Sequence, residues 1–286
     1  MSGTLTRLAA LAALVVLAYQ DALHLGFLGD DFIWLYHVDR LASPLGLFEP
    51  FYFPFVRPGT VLTMWGCMQA FGLDAAGYHA VGIALHASTA LLLALWIRRL
   101  TGSLAAATAG TLLFLAYPDH REPVIWPCSV GEVLGGGLTL AALLLHVRWL
   151  DAGSPWARVG ALACAAAAVL SKESFATLAV VLTAADLLVI RPARPGLPGP
   201  VRRLAPYWLL CGGLALGLAA MVFGHGENHG LDDQAFKRGV FYATLSKAML
   251  DAVGTRELGS ALAGAQAFHV AAGALLIFLA PLLAAS

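Results

Sequence analysis

Gly77-Tyr-His-Ala-Val-Gly-Ile-Ala-Leu-His-Ala-Ser-Thr-Ala-Leu-Leu-Leu-Ala-Leu-Trp-Ile97 contains no Asp, Glu, Lys or Arg, and Arg98-Arg99 closes it. As a helix this run reaches about 30 Å, the thickness of the hydrocarbon core of a bilayer. A charge-free run of that length ending on two arginines reads as a membrane span with a cytoplasmic end. The composition of the whole chain agrees. Of its 286 residues 59% are hydrophobic and 12% charged, with a mean hydropathy of +0.78. A soluble domain carries about twice that charged share. The formal net charge is zero, so no global field favours nucleic acid or an acidic partner.

Working outward, the hydropathy pattern predicts an all-α, polytopic bundle of about eight membrane helices. They fall near 4–21, 77–97, 102–117, 125–150, 155–171, 174–190, 205–223 and 263–285. Arg7 and the apolar Leu8 to Ala18 read as a retained first helix, because no small-x-small cleavage site precedes Tyr19-Gln20-Asp21. Residues 22–76 form a long first extracytoplasmic loop. Its aromatic and proline-rich part, Phe48 to Phe55, suits short helices along the headgroup region. Val61 to Phe71 is apolar but too short to span, and reads as interfacial or re-entrant. Residues 191–204 are basic and rich in Pro and Gly, a cytoplasmic linker, and 224–262 is an extracytoplasmic amphipathic segment. The chain is read as one domain, 1–286.

Charge supports this topology. With the N-terminus inside, the cytoplasmic ends collect Arg7, Arg98, Arg99, Arg148, Arg158, Arg191, Arg194, Arg202 and Arg203, with Asp151 the acid clearly among them. Most acids fall on the other side, as the positive-inside rule requires. The cysteines Cys67, Cys128, Cys164 and Cys211 are scattered, without a C-x-x-C pair, so neither a disulfide framework nor a zinc site is expected. His225-Gly-Glu-Asn-His229, with Asp232 and Asp233, offers metal-ligand types, but its glycines favour a solvated loop. No metal and no cofactor is expected.

Three polar clusters then meet one extracytoplasmic surface. Asp30-Asp31 lies in Phe27-Leu-Gly-Asp-Asp-Phe-Ile-Trp34, just past the first apolar segment. Tyr117-Pro-Asp-His-Arg-Glu-Pro123 joins the third and fourth spans. Ser171-Lys-Glu-Ser174 makes a tight turn between the fifth and sixth. A carboxylate pair at a membrane edge needs a reason, since such groups are costly there. Carboxylates, a histidine and two cations on one face suit a reaction between a lipid-borne phosphate and a hydroxyl. Arg121 and Lys172 are the candidate phosphate-binding pair, the first as a bidentate fork and the second as a point charge. A carboxylate would take the proton of the acceptor.

The order of these features resembles the GT-C glycosyltransferases, and among them the protein O-mannosyltransferases, including the branch with tetratricopeptide repeats. An acidic pair follows the first helix (Asp30-Asp31). Arg57-Pro58 precedes the second. Phe71-Gly72-Leu73 and Tyr78-His79 lead into Leu85-His86-Ala87. Pro118, Glu122, Val124 and Trp126 match a Pro-x-x-x-Glu-x-Val-x-Trp pattern, and Leu170-Ser-Lys-Glu173 closes the set. The likeness covers about residues 20–190. It implies inverting transfer of a sugar from a polyprenyl-phosphate donor to an extracytoplasmic protein or glycan acceptor. It implies Asp30 as the general base with Asp31 beside it. Arg57, His120, Glu122, Glu173 and His79 join the candidate set as substrate-binding residues. It also implies a multi-pass protein of a bacterial-type plasma membrane with no nucleic-acid partner. The chain departs from the pattern in two places. Tyr117-Pro118 stands where His-Pro is common. Near Val130 the family often has an Arg, so the donor phosphate needs another cation here.

Plainer readings stand beside these. Asp30 or Asp31 would also serve as an N-cap for a helix starting near Phe32. His79 and His86 share a helix face as core histidines. Glu122 and Lys172 would form a structural pair across loops. Glu132, in the fourth span beside Gly135-Gly136-Gly137, is an intramembrane acid that must be paired or functional, and the glycines imply close helix packing or a local irregularity. Two other classes of function compete: a lipid-linked sugar transporter or flippase, and a truncated or non-catalytic membrane subunit. A transporter would show an internal repeat and charges lining a path through the bilayer, and neither is visible.

Overall fold

The computed structural model describes residues 13–41, 44–48, 56–117, 120–190 and 196–224. Among them every regular element is helical. In chain order these are α1 (13–19), α2 (Asp31–Asp39), α3 (Pro58–Phe71), α4 (Ala75–Thr101), α5 (Leu104–Ala116), α6 (Arg121–Ile125), α7 (Val130–Ala152), α8 (Pro155–Ser171), α9 (Leu178–Ala184) and α10 (Pro200–Gly224), with short 3-10 turns between several of them.

Two tight reversals organise the bundle, and both are written Gly-Ser. α4 ends on Gly102 (φ +67°) and α7 on Gly153 (φ +69°), the left-handed conformation that glycine adopts without strain. The next residue, Ser103 or Ser154, then caps the following helix by accepting from the backbone N–H of Ala106 or Ala157. Arg99 donates to Asp151 at 2.8 Å, so the two reversals are tied at the same end. α8 packs closely along α7 because Ala157, Ala161, Ala165 and Ala168 form a fully buried stripe against Ala142, Leu143, Val147 and Leu150. α4 packs on the other side of α7, α5 lies on α4, and α10 covers α8.

Three helices are long and apolar enough to cross a membrane: Ala75–Thr101, Pro127–Ala152 and Pro200–Phe223. Among the described residues, three of the eight expected spans, 77–97, 125–150 and 205–223, thus coincide with helices of spanning length. Leu104–Ala116 and Pro155–Ser171 are apolar but shorter. The expected sixth span is broken into a 3-10 turn (Glu173–Thr177), α9, and a π-helical turn (Ala185–Val189). The first expected span is only partly described. The eighth, the 224–262 segment beyond Gly224, His225 to Asp233 and most of the Phe48–Phe55 stretch lie outside the described residues.

The basic linker also needs correction. Arg202 and Arg203 belong to the first turn of α10. Arg203 Nε donates to Asp186 Oδ2, and its Nη1 donates to the carbonyl of Pro198 at 3.1 Å. Asp186 is buried on the π-helical turn, His146 lies beside it (Nε2 to Oδ2, 3.8 Å), and His146 Nδ1 meets the Tyr207 hydroxyl at 3.1 Å. The side chain on Arg203 thus pins α10 to the end of α9 and to α7.

Candidate active site

The opposite end of the bundle holds the polar clusters. Leu28-Gly29-Asp30-Asp31 turns sharply into α2, with Gly29 at φ +51°. A β-carbon there meets only the Trp126 ring at 3.7 Å, so glycine is required by the backbone conformation rather than by crowding. Asp30 occupies the N-cap position but makes no side-chain capping bond. Asp31 begins the helix and is fully buried. Its carboxylate accepts from the backbone N–H of Leu28 (2.9 Å) and, across the chain, from that of Cys128 (2.8 Å). Trp126 Nε1 donates to the Leu28 carbonyl at 3.2 Å. Asp31 therefore fastens the first loop to the turn before α7, and the neighbouring carboxylate, Asp30, is left facing open space.

That space is a cavity of about 250 Å³. Asp30 and Trp34 line it from the α2 side, Arg57 and Thr60 from α3, Glu122 and Trp126 from α6, Gly131 and Glu132 from α7, and Ser171 and Lys172 from the end of α8. Burial raises the pKa of Asp30 above the ordinary carboxylate value. Burial pushes Asp31 up to about 6; the two N–H donors pull it down and the charge of Asp30 adds to the rise. Of the adjacent acidic pair, Asp30 is the one that lines the cavity, together with Glu122 and Glu132.

Close packing of α7 on the α8 end sets the far wall. Thr60 Oγ1 donates to the Ser171 carbonyl at 2.7 Å. A β-carbon on Gly131 would lie 2.1 Å from Thr60 Oγ1 and 2.6 Å from that carbonyl oxygen. Four residues on, one at Gly135 would lie 2.1 Å from the Phe175 ring. Of the three glycines expected to allow close packing, Gly135 does so against Phe175 and Gly137 against Thr89, while a β-carbon on Gly136 would meet nothing within 4 Å, and the helix is unbroken. Lys172 Nζ donates to Glu132 Oε1, so Lys172 pairs with Glu132 and not with Glu122. Arg57 forms a two-pronged bridge to Glu173, Nε to Oε2 at 2.8 Å and Nη2 to Oε1 at 2.6 Å. That bond holds the Glu173 carboxyl below its ordinary pKa.

The candidates are thus only partly brought together. Asp30, Arg57, Glu122 and Lys172 share the cavity. Arg121 does not join Lys172. It borders a separate space of about 20 Å³ with Asp21 and Tyr19. The single-turn helix α6 sends Glu122 to the cavity and Arg121 away from it. His120 lines a neighbouring cavity of about 220 Å³, with its Nδ1 at 2.8 Å from the Phe114 carbonyl. His79 is buried at 1% exposure and does not line either large cavity. Among the described residues no group of three or more His, Cys, Asp or Glu side chains could hold a metal ion. Glu132, Thr60 and Trp126 stand outside the sequence-derived set. For Glu132 the signal was present, an acid in an apolar helix, but its partner lies 40 residues away.

Comparison with known proteins adds a relation. The chain is 30% identical over 166 residues to protein O-mannosyl-transferase Tmtc3 of Drosophila melanogaster. The match is distant. It covers 49% of this chain and 18% of that protein, so the chain spans a little under a fifth of the relative's length. No protein-family model and no solved structure matches. The likeness is to a protein named as an O-mannosyl-transferase, and the three apolar helices are compatible with a membrane setting.

Proposed function

We propose that the chain is a multi-pass membrane glycosyltransferase of the GT-C kind. It moves one sugar, with inversion, from a polyprenyl-phosphate donor to a hydroxyl of an extracytoplasmic protein or glycan. The observation that carries this reading is the shared cavity: a carboxylate, Asp30, and an ammonium, Lys172, line one space at one end of a bundle of apolar helices. Inverting transfer needs those two groups. Asp30 takes the proton from the acceptor hydroxyl. The acceptor oxygen bonds to the anomeric carbon as the bond from that carbon to the phosphate oxygen breaks, and the electron pair leaves with the phosphate. Lys172 stabilises the charge that develops there, in a cleft where such charge is worth more than in water. Glu122 and the Arg57–Glu173 bridge shape the wall around the sugar. The sequence reading assigns the donor phosphate to Arg121 and Lys172 together; of the two, Lys172 lines the cavity and Arg121 borders another, so we give the role to Lys172.

The test is donor selectivity and stereochemistry. Protein reconstituted in lipid is offered the same labelled sugar on polyprenyl phosphate or on a nucleoside diphosphate. Transfer from the lipid-linked donor alone, with the anomeric configuration inverted in the product, is expected. Retention of configuration would contradict direct displacement by an acceptor activated at Asp30.

A further inference from the structure

Lys172 and Glu132 line two cavities at once: the one that contains Asp30, and the neighbouring one of about 220 Å³. The second is walled by Phe114, Phe175, Pro123 and Val133, with His120 among them. It is an apolar chamber whose cation sits on the wall shared with the polar one. We propose that Glu132 is a positioning residue for the donor: its carboxylate holds the Lys172 ammonium at the passage between the two cavities, where the phosphate of a polyprenyl-phosphate ligand lies. The inference rests on the transferase reading above and assigns Glu132 a part in it.

Three observations support it. In a direct displacement the leaving phosphate lies away from the base, so a cation on the side of the second cavity is where it is needed. The loop that contains Lys172 is laid onto α7 on both sides of that residue. Ser171 is seated against Gly131, and Phe175 against Gly135. Between those two glycines, Glu132 is the residue that receives the Nζ. Finally, the pair is part-exposed, 24% for Lys172 and 44% for Glu132. Ion pairs this open contribute little to folding, and their charges stay within reach of a ligand.

The experiment measures binding of sugar-free polyprenyl phosphate to the full chain in lipid nanodiscs, by quenching of the tryptophan fluorescence to which Trp34 and Trp126 contribute. Polyprenol and inorganic phosphate serve as the comparison ligands. Wild type is expected to bind polyprenyl phosphate in preference to both. Lys172→Gln and Glu132→Gln should each weaken that binding about tenfold, the scale of one charge-assisted hydrogen bond. Glu132→Asp should recover most of the loss. Glu132→Gln added to Lys172→Gln should change nothing more, because Glu132 acts through Lys172. In the transfer assay Glu132→Gln should raise the donor KM and leave the acceptor KM within twofold. Wild-type binding in Glu132→Gln, tighter binding in it, or additive losses in the double variant would overturn the inference while leaving the transferase reading intact. Equal binding of inorganic phosphate or of polyprenol would overturn it too. If transfer then proceeds with the lipid-linked donor, the transferase reading survives alone; if it does not, both fall.

Discussion

At the scale of single residues, adjacent carboxylates have been given different work. Asp31 is consumed by the fold: fully buried, it accepts from the backbone N–H of Leu28 and from that of Cys128, 97 residues further along the chain. Asp30 makes no capping bond and lines the cavity. Asp30→Asn should therefore leave thermal stability unchanged. Asp31→Asn turns an amide N–H toward a backbone donor and should cost about 1–3 kcal/mol. Melting of both variants in detergent, followed by circular dichroism, separates them. The raised pKa of Asp31 also fixes a pH dependence. A carboxyl that holds its proton more tightly when folded stabilises the fold below its unfolded value and loses that contribution as pH rises through the folded one. Between about pH 4 and 6 the melting temperature of wild type should fall by a few degrees relative to Asp31→Leu, which does not titrate. An unchanged difference across that range would contradict the assignment. The acidic pair was legible in the sequence because two charges follow an apolar run. The division of labour was not, since it depends on the N–H of Cys128. The Lys172–Glu132 pair was hidden for the same reason: it joins residues 40 apart, and the sequence reading matches Lys172 with Glu122 instead.

Elements show the same contrast. α8 runs over Pro155–Ser171, as the sequence reading places it, because Ser154 caps it, Pro155 suits its first turn and its alanines repeat on one face. The expected span 174–190 is interrupted. Asp186 sits in a π-helical turn and draws Arg203 down from the next helix, a contact that local hydropathy cannot express. Removing one partner of that buried pair should be expensive. Arg203→Met is expected to cost about 3–5 kcal/mol, and adding Asp186→Leu should restore much of it, because the unpaired charge is then gone. Thermal unfolding of both variants checks this, and a double variant no better than the single would argue against it. Gly131→Val tests the other end. Its side chain would collide with Thr60 and the Ser171 carbonyl, so transfer should fall at least tenfold while helix content holds, because the loop that carries Lys172 is displaced.

Across the whole molecule, the bundle has unlike ends. One end is tied by Arg99–Asp151 and Asp186–Arg203. The other opens into two adjoining cavities that share Lys172 and Glu132. The helical class follows from composition and from runs such as 77–97. The number of spans does not: among the described residues five helices are apolar and three of them have the length to cross. The likeness to an O-mannosyl-transferase covers 49% of the chain, and the cavity supplies the residues proposed to act. The most direct measurement is sugar transfer from labelled polyprenyl-phosphate donors by the protein in lipid, wild type beside Asp30→Asn. The account predicts transfer by wild type and a loss of about a hundredfold or more in kcat in the variant at unchanged melting temperature, the share that general-base catalysis supplies. Equal rates in the two proteins would contradict it.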